Sequence, residues 1–211
     1  MRKTVIVMLK EPRPGRVKTR LGREIGMGPA AQWFRLQALA LLRRIRDPRW
    51  DIVLAVAPDR AGLQSRVWPN DLPRIPQGRG DLGVRMAVAL RRSAPGPACV
   101  IGADIPRLGA SQIAAAFSAL GNHDAVFGPA PDGGYWLVGL KHPAQAPKGL
   151  FRGVRWSSRH ALTDSLATLG TLSVAQIQSL QDVDTADDLH RVGAQHLLPM
   201  TAPKCRVRPN T

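Results

Sequence analysis

The stretch Cys99-Val100-Ile101-Gly102-Ala103-Asp104-Ile105-Pro106 joins a short apolar run to a single carboxylate. The apolar residues predict a buried β-strand, and Asp104 follows it closely. A carboxylate at the end of a buried strand is costly unless a cation meets it there. Ligands of open α/β sheets bind outside the carboxyl ends of the strands, so we expect Asp104 to face such a crevice. Alternatively, Asp104 caps the next helix or braces a turn.

Short apolar runs alternate with longer periodic segments on both sides of this stretch. Strands are predicted at 5–9, 52–56, 100–102, 125–127 and 135–140, and helices at 29–45, 81–92, 111–120, 157–169 and 185–198. Strands separated by helices predict an α/β fold with a mostly parallel sheet and helices on both faces. Residues 1–198 are expected to form one domain, followed by a basic, flexible tail at 199–211.

The composition argues against a membrane-spanning or secreted protein. The 211 residues are 44% hydrophobic, and no run approaches the roughly 20 apolar residues that cross a membrane. The apolar run 5–9 is too short for a secretion signal, so we expect a cytoplasmic protein. Cys99 and Cys205 lack metal or redox spacing, and Cys99 is predicted to be a core residue.

The formal net charge is +15, which raises nucleic acid as a possible partner. The basic residues are scattered, however, and aromatic residues are not interleaved with them as a base-stacking surface requires. Nucleic acid is therefore disfavoured as the substrate. A basic nucleic-acid-binding module is kept as an alternative, and it predicts strongly salt-dependent binding.

The loop after the first strand carries a cluster of basic residues around one glycine. These residues are Lys10, Arg13, Gly15, Arg16, Lys18 and Arg20. Cationic side chains and backbone N–H groups between a first strand and its helix are well placed to bind phosphates. Neither the P-loop spacing nor Gly-x-Gly-x-x-Gly occurs in this loop, so the loop gives no support for a dinucleotide cofactor. The alternative is a solvated basic loop.

A second glycine-rich segment, residues 77–86, enters a predicted helix. Its glycines, Gly78 among them, let the backbone approach a flat ligand closely. Gln77 can donate and accept hydrogen bonds, as reading a nucleobase requires. Asp81 either contributes to the nucleotide site or caps the helix.

Two further segments are candidates for a substrate pocket. Residues 131–136 form a turn that leads into a strand, and we expect this turn at the same sheet edge as Asp104. Trp156 and Ser157 would form another wall, with Ser157 otherwise a plain helix N-cap. The candidate pocket residues are Asp132, Gly133, Gly134, Tyr135, Trp156 and Ser157.

Four acidic residues cluster in the segment 181–189 of an otherwise basic chain. Only one of Asp182 and Asp184 is expected to face the site. Thr185 and Asp188 resemble a capping box that starts a helix, which leaves Asp184 free to meet a cation. Two carboxylates from distant parts of a chain, together with bound phosphates, suit Mg²⁺.

Taken together, these segments resemble the GT-A superfamily of nucleotide-diphospho-sugar transferases, and more closely the bacterial family DUF2064, described as transferases associated with radical-SAM gene neighbourhoods. The resemblance spans residues 3 to about 192. The matching pieces are Lys10 with Pro12 and Gly15; 18–21; Gln77 with 81–83 and 85–86; 102–106; 132–135; 156–157; and 182–185 with 188–189.

The resemblance implies a GT-A-like fold and a metal site with Asp104 as the central ligand. The ending 183–189 is similar to that of sugar-acid cytidylyltransferases, which implies Asp184 as the second ligand. Lys18 to Leu21 are similar to the first loop of phospholactate guanylyltransferases. The first loop departs from the Gly-x-Gly start of sugar-nucleotide pyrophosphorylases.

The leading hypothesis is a nucleotidyltransferase dependent on Mg²⁺ or Mn²⁺. It would transfer a nucleoside monophosphate from a triphosphate to a small anionic acceptor and release pyrophosphate, with Lys18 and Asp104 as catalytic residues. Lys10, Lys18 and Arg20 would bind the triphosphate. The alternatives are a glycosyltransferase that uses a nucleotide sugar, with Asp132 as the candidate base, and a nucleic-acid-binding module on an inactive transferase fold.

Overall fold

The computed structural model describes residues 2–196. The predicted flexible tail at 199–211 and Cys205 lie outside the described residues. The strands are β1 (Lys3–Lys10), β2 (Trp50–Ala57), β3 (Arg74–Pro76), β4 (Ala98–Ile101), β5 (Ala125–Pro129), β6 (Tyr135–Leu140) and β7 (Val174–Gln176). The helices are α1 (Thr19–Ile25), α2 (Met27–Arg44), α3 (Asp59–Leu63), α4 (Leu82–Arg91), α5 (Ala110–Asn122), α6 (Ala161–Ala167) and α7 (Ala186–His196), with a 3₁₀ turn at Pro143–Gln145.

The strands form one sheet in the order β3-β2-β1-β4-β6-β5-β7. All neighbouring pairs are parallel except those of β6, which is antiparallel to both β4 and β5. The connection from β5 to β6 is too short for a crossover helix, so the chain must reverse there. The predicted mostly parallel sheet is confirmed.

Helices cover both faces of this sheet, as predicted. On one face, α2 and α5 pack on alternate residues of β1, among them Val5 and Val7. On the other face, α4 and α6 pack with Ile6 and Val138. Cys99 lies in the first of these cores, where burial raises the pKa of its thiol, and is the predicted core residue rather than a reactive one.

The helix predicted at 157–169 is wrong at its start. The structure begins α6 at Ala161 and caps it with His160, because Ser157 has a φ of +56° and cannot begin a helix. Ser157 is therefore not the N-cap that the sequence offered. The elements α1, α3, β3 and β7 were not predicted, since each is only three to seven residues long and too short to show a periodic pattern.

None of the helices within residues 2–196 combines the length and hydrophobicity that crossing a membrane requires.

Candidate functional site

Asp104 lies in the loop that follows β4, at the carboxyl edge of the sheet. Its neighbours Ala103 and Ile105 are only 3% and 1% exposed, and both belong to the core on the α2 and α5 side. With the residues before and after it buried, Asp104 keeps its side chain 27% exposed. The predicted position at the strand edge is confirmed.

Asp182 and Asp184 both reach Asp104, and this corrects the expectation that only one of them could. Side chains alternate with a period of two along an extended segment, so residues two apart, such as Asp182 and Asp184, lie on the same side. Val183, between the two acids, is fully buried and packs with Leu21 and Ala30. Its side chain anchors the segment while both flanking carboxylates turn to the site. The Asp-x-Asp pattern was the signal for this pair.

Contacts with the sheet hold this acidic segment in place. The backbone N–H of Leu180 donates to the carbonyl of Pro129 at 3.1 Å, and the indole of Trp136 donates to the carbonyl of Gln178 at 3.1 Å. At the other end, Asp188 Oδ2 accepts a hydrogen bond from the backbone N–H of Thr185. In return, the hydroxyl of Thr185 accepts one from the backbone N–H of Asp188. The predicted capping box is confirmed, and it fixes where α7 begins.

Lys18 meets all three carboxylates. Its Nζ lies 2.6 Å from Asp104 Oδ2, 2.6 Å from Asp184 Oδ1 and 3.7 Å from Asp182 Oδ2. Its side chain is only 7% exposed. Arg20 adds a weaker ion pair to Asp184 Oδ2, at 3.3 Å. Lys18 and Arg20, predicted to bind phosphates, thus contact the predicted metal ligands in this structure.

Burial and charge oppose each other at these groups. Burial on its own would lower the pKa of Lys18, but the ion pairs with Asp104 and Asp184 outweigh it and raise that pKa above its ordinary value. Burial raises the pKa of Asp182 to about 6, against the opposing effect of Lys18 and with a further increase from Asp104 and Asp184. Asp182 is therefore the acid that resists ionisation.

Asp182→Asn is expected to stabilise the metal-free protein at pH 7.5. The pKa of Asp182 rises from 3.8 to about 6 on folding, so its ionisation lowers the free energy of unfolding as the pH rises through that window. The gain should disappear near pH 4, where the carboxyl is protonated in the folded protein. Melting temperatures of the two proteins at both pH values, without divalent metal, measure it. Equal melting temperatures at pH 7.5 would contradict the expectation.

The donor set fits a hard divalent cation. One carboxylate oxygen from each of Asp104, Asp182 and Asp184 lies within 4.8 Å of the other two. Among the described residues, no other group of three His, Cys, Asp or Glu side chains comes this close. Carboxylate oxygens are ligands that Mg²⁺ and Mn²⁺ prefer. Asp182 was not among the predicted ligands.

A cleft of about 620 Å³ lies between the two predicted nucleotide-binding loops. Lys10, Arg13 and Arg16 line it from the first loop, and Gly78 and Arg85 line it from the second. Gly15 has a φ of +71° and forms the turn that lets the first loop fold back. Arg85 was not predicted, although its position one helical turn after Asp81 was the available signal.

Gln77 and Asp81 have structural partners. The side-chain Nε2 of Gln77 donates to the carbonyls of Leu9 and Ala55, at 2.9 and 2.8 Å, so its donor half joins β1 to β2 and cannot read a base. Asp81 caps α4 by accepting from the Val84 N–H at 2.8 Å, the alternative that the sequence left open.

A smaller pocket, of about 140 Å³, adjoins the acidic cluster. Asp104, Asp132 and Asp182 line it, with Gly134 and Tyr135. The turn 131–134 therefore lies at the same edge as Asp104, where it was expected. Asp132 Oδ1 also accepts from the Gly134 N–H at 2.9 Å, which holds the turn closed.

Trp156 and Ser157 are not among the residues that line this pocket. Trp156 instead packs in the core on the α4 and α6 side, with ring centroids 6.4 Å from Tyr135 and 6.1 Å from Phe151. Tyr135 directs its hydroxyl to Ser165 Oγ at 3.1 Å, so only part of that residue faces the pocket.

A sequence model of one protein family matches this chain. The family is described as an uncharacterized protein conserved in bacteria (DUF2064), and the match covers residues 40–158. No curated protein sequence matches the chain.

Solved structures share the fold. One from Desulfovibrio desulfuricans, described provisionally as a nucleotide-diphospho-sugar transferase, has a TM-score of 0.84 and 28% identity over 93% of this chain and 89% of its own. A CMP:2-keto-3-deoxy-manno-octonic acid synthetase complexed with CTP has a TM-score of 0.60 and 8% identity, over 93% and 100%. A Mycobacterium tuberculosis protein in complex with manganese has a TM-score of 0.54 and 15% identity, over 91% and 98%.

Proposed function

The chain belongs to the DUF2064 family of bacterial proteins, and from this premise we propose that it is a metal-dependent nucleotidyltransferase. One observation carries the proposal: carboxylates from two distant parts of the chain converge on Lys18, and the loop that ends at Lys18 also supplies Lys10, Arg13 and Arg16 to the lining of a cleft. The fold is that of nucleotide-diphospho-sugar transferases. The CTP complex of one structural neighbour and the manganese complex of another support a nucleotide and a divalent cation as ligands.

The cleft supplies the binding site for the triphosphate. Four basic side chains line this cleft and outnumber its two acidic ones, Glu11 and Asp59, so they can bind the phosphate oxygens; the basic residues are Lys10, Arg13, Arg16 and Arg85. Such charge neutralisation and positioning are what phosphoryl-group transfer chiefly needs from a protein. The acceptor oxygen forms a bond to the α-phosphorus, and the bond from that phosphorus to the pyrophosphate oxygen breaks.

Asp104, Asp182 and Asp184 would hold the metal. When bound, Mg²⁺ or Mn²⁺ neutralises charge on the triphosphate and on the departing pyrophosphate. Asp104 and Asp182 also line the smaller pocket, so the proposed metal site adjoins the place where an acceptor would bind.

A glycosyltransferase is the second candidate, and the smaller pocket favours it. Asp104, Asp132 and Asp182 surround a volume of about 140 Å³, and three carboxylates repel an anionic acceptor. A neutral hydroxyl suits this lining, and Asp132 could accept its proton. The anionic character of the acceptor therefore stays a prediction.

Nucleic acid is the least supported partner. All five tryptophans lie in the described part of the chain, and none is exposed, so they cannot form a surface on which bases stack.

The products distinguish the candidates. We expect release of pyrophosphate from one of the four common nucleoside triphosphates, in the presence of Mg²⁺ and a panel of sugar phosphates, sugar acids and neutral sugars. Release of a nucleoside diphosphate from a nucleotide sugar would establish the second candidate instead. A melting-temperature screen with the same nucleotides, with and without Mg²⁺, selects the donor before the acceptor is known. A donor that stabilises the protein equally without metal would contradict the metal-dependent proposal.

A further inference from the structure

Lys18 occupies the centre of the acidic cluster that the proposed function assigns to a metal. We infer that Lys18 is a built-in counter-ion that neutralises the cluster in the free protein and must leave before a divalent cation binds. The inference rests on the proposed function, and it adds a condition: a polyphosphate that can receive the ammonium makes metal binding stronger.

The cationic side chains and a bound metal would compete for the same carboxylate oxygens. Asp104 and Asp184 have four side-chain oxygens between them, and cations already contact three. Lys18 contacts Asp104 Oδ2 and Asp184 Oδ1, each at 2.6 Å, while Arg20 contacts Asp184 Oδ2 at 3.3 Å. A metal held by both residues must therefore take at least one oxygen from a resident cation.

Charge and space prevent Lys18 from staying where it is. Metal–oxygen distances are about 2.0–2.1 Å for Mg²⁺, so a metal on the oxygens that Lys18 uses would lie against its ammonium group. The side chain of Lys18 is only 7% exposed, which leaves little water to screen the repulsion between the two cations. The cluster can accommodate Lys18 or the metal at these oxygens, but not both.

The place of Lys18 in the chain gives the ammonium somewhere to go. Lys18 ends the basic loop and forms the N-cap of α1, with a φ of +45°. Arg13 and Arg16, five and two residues earlier, line the cleft assigned to the triphosphate. A lysine ammonium moves on a flexible four-carbon stem, so rotation of the side chain can exchange carboxylate partners for phosphate oxygens. Metal and polyphosphate binding are thereby coupled through one residue.

The test compares Mn²⁺ binding to wild type, Lys18→Met and Lys10→Met, measured by electron paramagnetic resonance of free Mn²⁺ without any polyphosphate. Lys18→Met is expected to bind Mn²⁺ at least about tenfold more tightly than wild type, within the usual range of coupling between sites. Lys10→Met removes the same charge from the same loop but no ion pair to the cluster, so its Mn²⁺ affinity should stay within about twofold of wild type.

Each other outcome contradicts a specific statement. Equal Mn²⁺ affinity in wild type and Lys18→Met would overturn the inference that Lys18 must leave before the metal binds, but it would not contradict the metal site itself. No Mn²⁺ binding to any of the three proteins would overturn the metal site of the proposed function as well.

A wild-type experiment covers the case in which Lys18→Met does not fold. Crystals soaked with Mn²⁺ and tripolyphosphate should show manganese, located by its anomalous scattering, on Asp104 and Asp184, with Lys18 Nζ moved to phosphate oxygens. Manganese on these two residues with Lys18 still bonded to both would overturn the inference, and manganese elsewhere would overturn the metal site.

Discussion

Asp104→Asn is expected to lower the rate of transfer at least about a hundredfold while the fold stays intact, the size of effect seen when one stabilising charge is removed from an active site. Asp104 belongs to the metal cluster, lines the smaller pocket and makes one of the two 2.6 Å ion pairs with Lys18. An amide of nearly the same shape keeps the loop between Ala103 and Ile105 but removes the negative charge. Steady-state rates with the donor selected by the melting screen measure the loss.

Asp71→Asn is the matched control. Asp71 is an exposed carboxylate that pairs with Arg46 at 2.6 Å and lines a groove beside the start of β2, away from the carboxyl edge. Loss of an exposed ion pair costs about 1 kcal/mol or less, so its rate should equal that of wild type. If Asp104→Asn kept full, metal-dependent activity, the assignment of Asp104 to the metal site would be wrong.

The position of Asp104 could be predicted because it depends on topology alone. An apolar run such as 98–101 in an alternating α/β pattern is a parallel strand, and the carboxyl ends of parallel strands share one edge. The same rule brought the turn 131–134 to that edge, since β5 runs in the same direction as β4. Periodicity and chain direction can be inferred from the sequence, so they suffice to predict that both segments lie at this edge.

The direction of individual side chains could not be predicted in the same way. The spacing of Asp182 and Asp184 puts them on one side of their segment, but that this side faces Asp104 depends on Val183, which packs with Leu21 from a remote part of the chain. Gln77 looked like a base reader because its amide is bifunctional, yet two backbone carbonyls from neighbouring strands use its donor. Lys18 looked like a phosphate ligand because its loop is basic, but the nearest anions within the fold are aspartates.

A substitution in the turn beside the smaller pocket is expected to reduce the stability of the fold. Gly133→Ala is expected to lower the free energy of unfolding by about 2–3 kcal/mol, because both the backbone angle and the space oppose a side chain there. Gly133 has a φ of +85°, which favours glycine, and an added Cβ would lie 2.2 Å from the backbone oxygen of Arg159. Urea denaturation of wild type and variant measures the difference.

Gly121→Ala is the control for this substitution, because no atom within 4 Å opposes a Cβ at that position in α5. Its stability should equal or slightly exceed that of wild type.

The effect of Gly133→Ala on the two KM values distinguishes the role of the smaller pocket from that of the cleft. Strain at Gly133 displaces Asp132 from the smaller pocket but leaves the loop of Lys10, Arg13 and Arg16 untouched, so KM for the acceptor should rise while KM for the donor stays constant. A rise in the donor KM alone would place the acceptor elsewhere, since the turn would then serve the nucleotide.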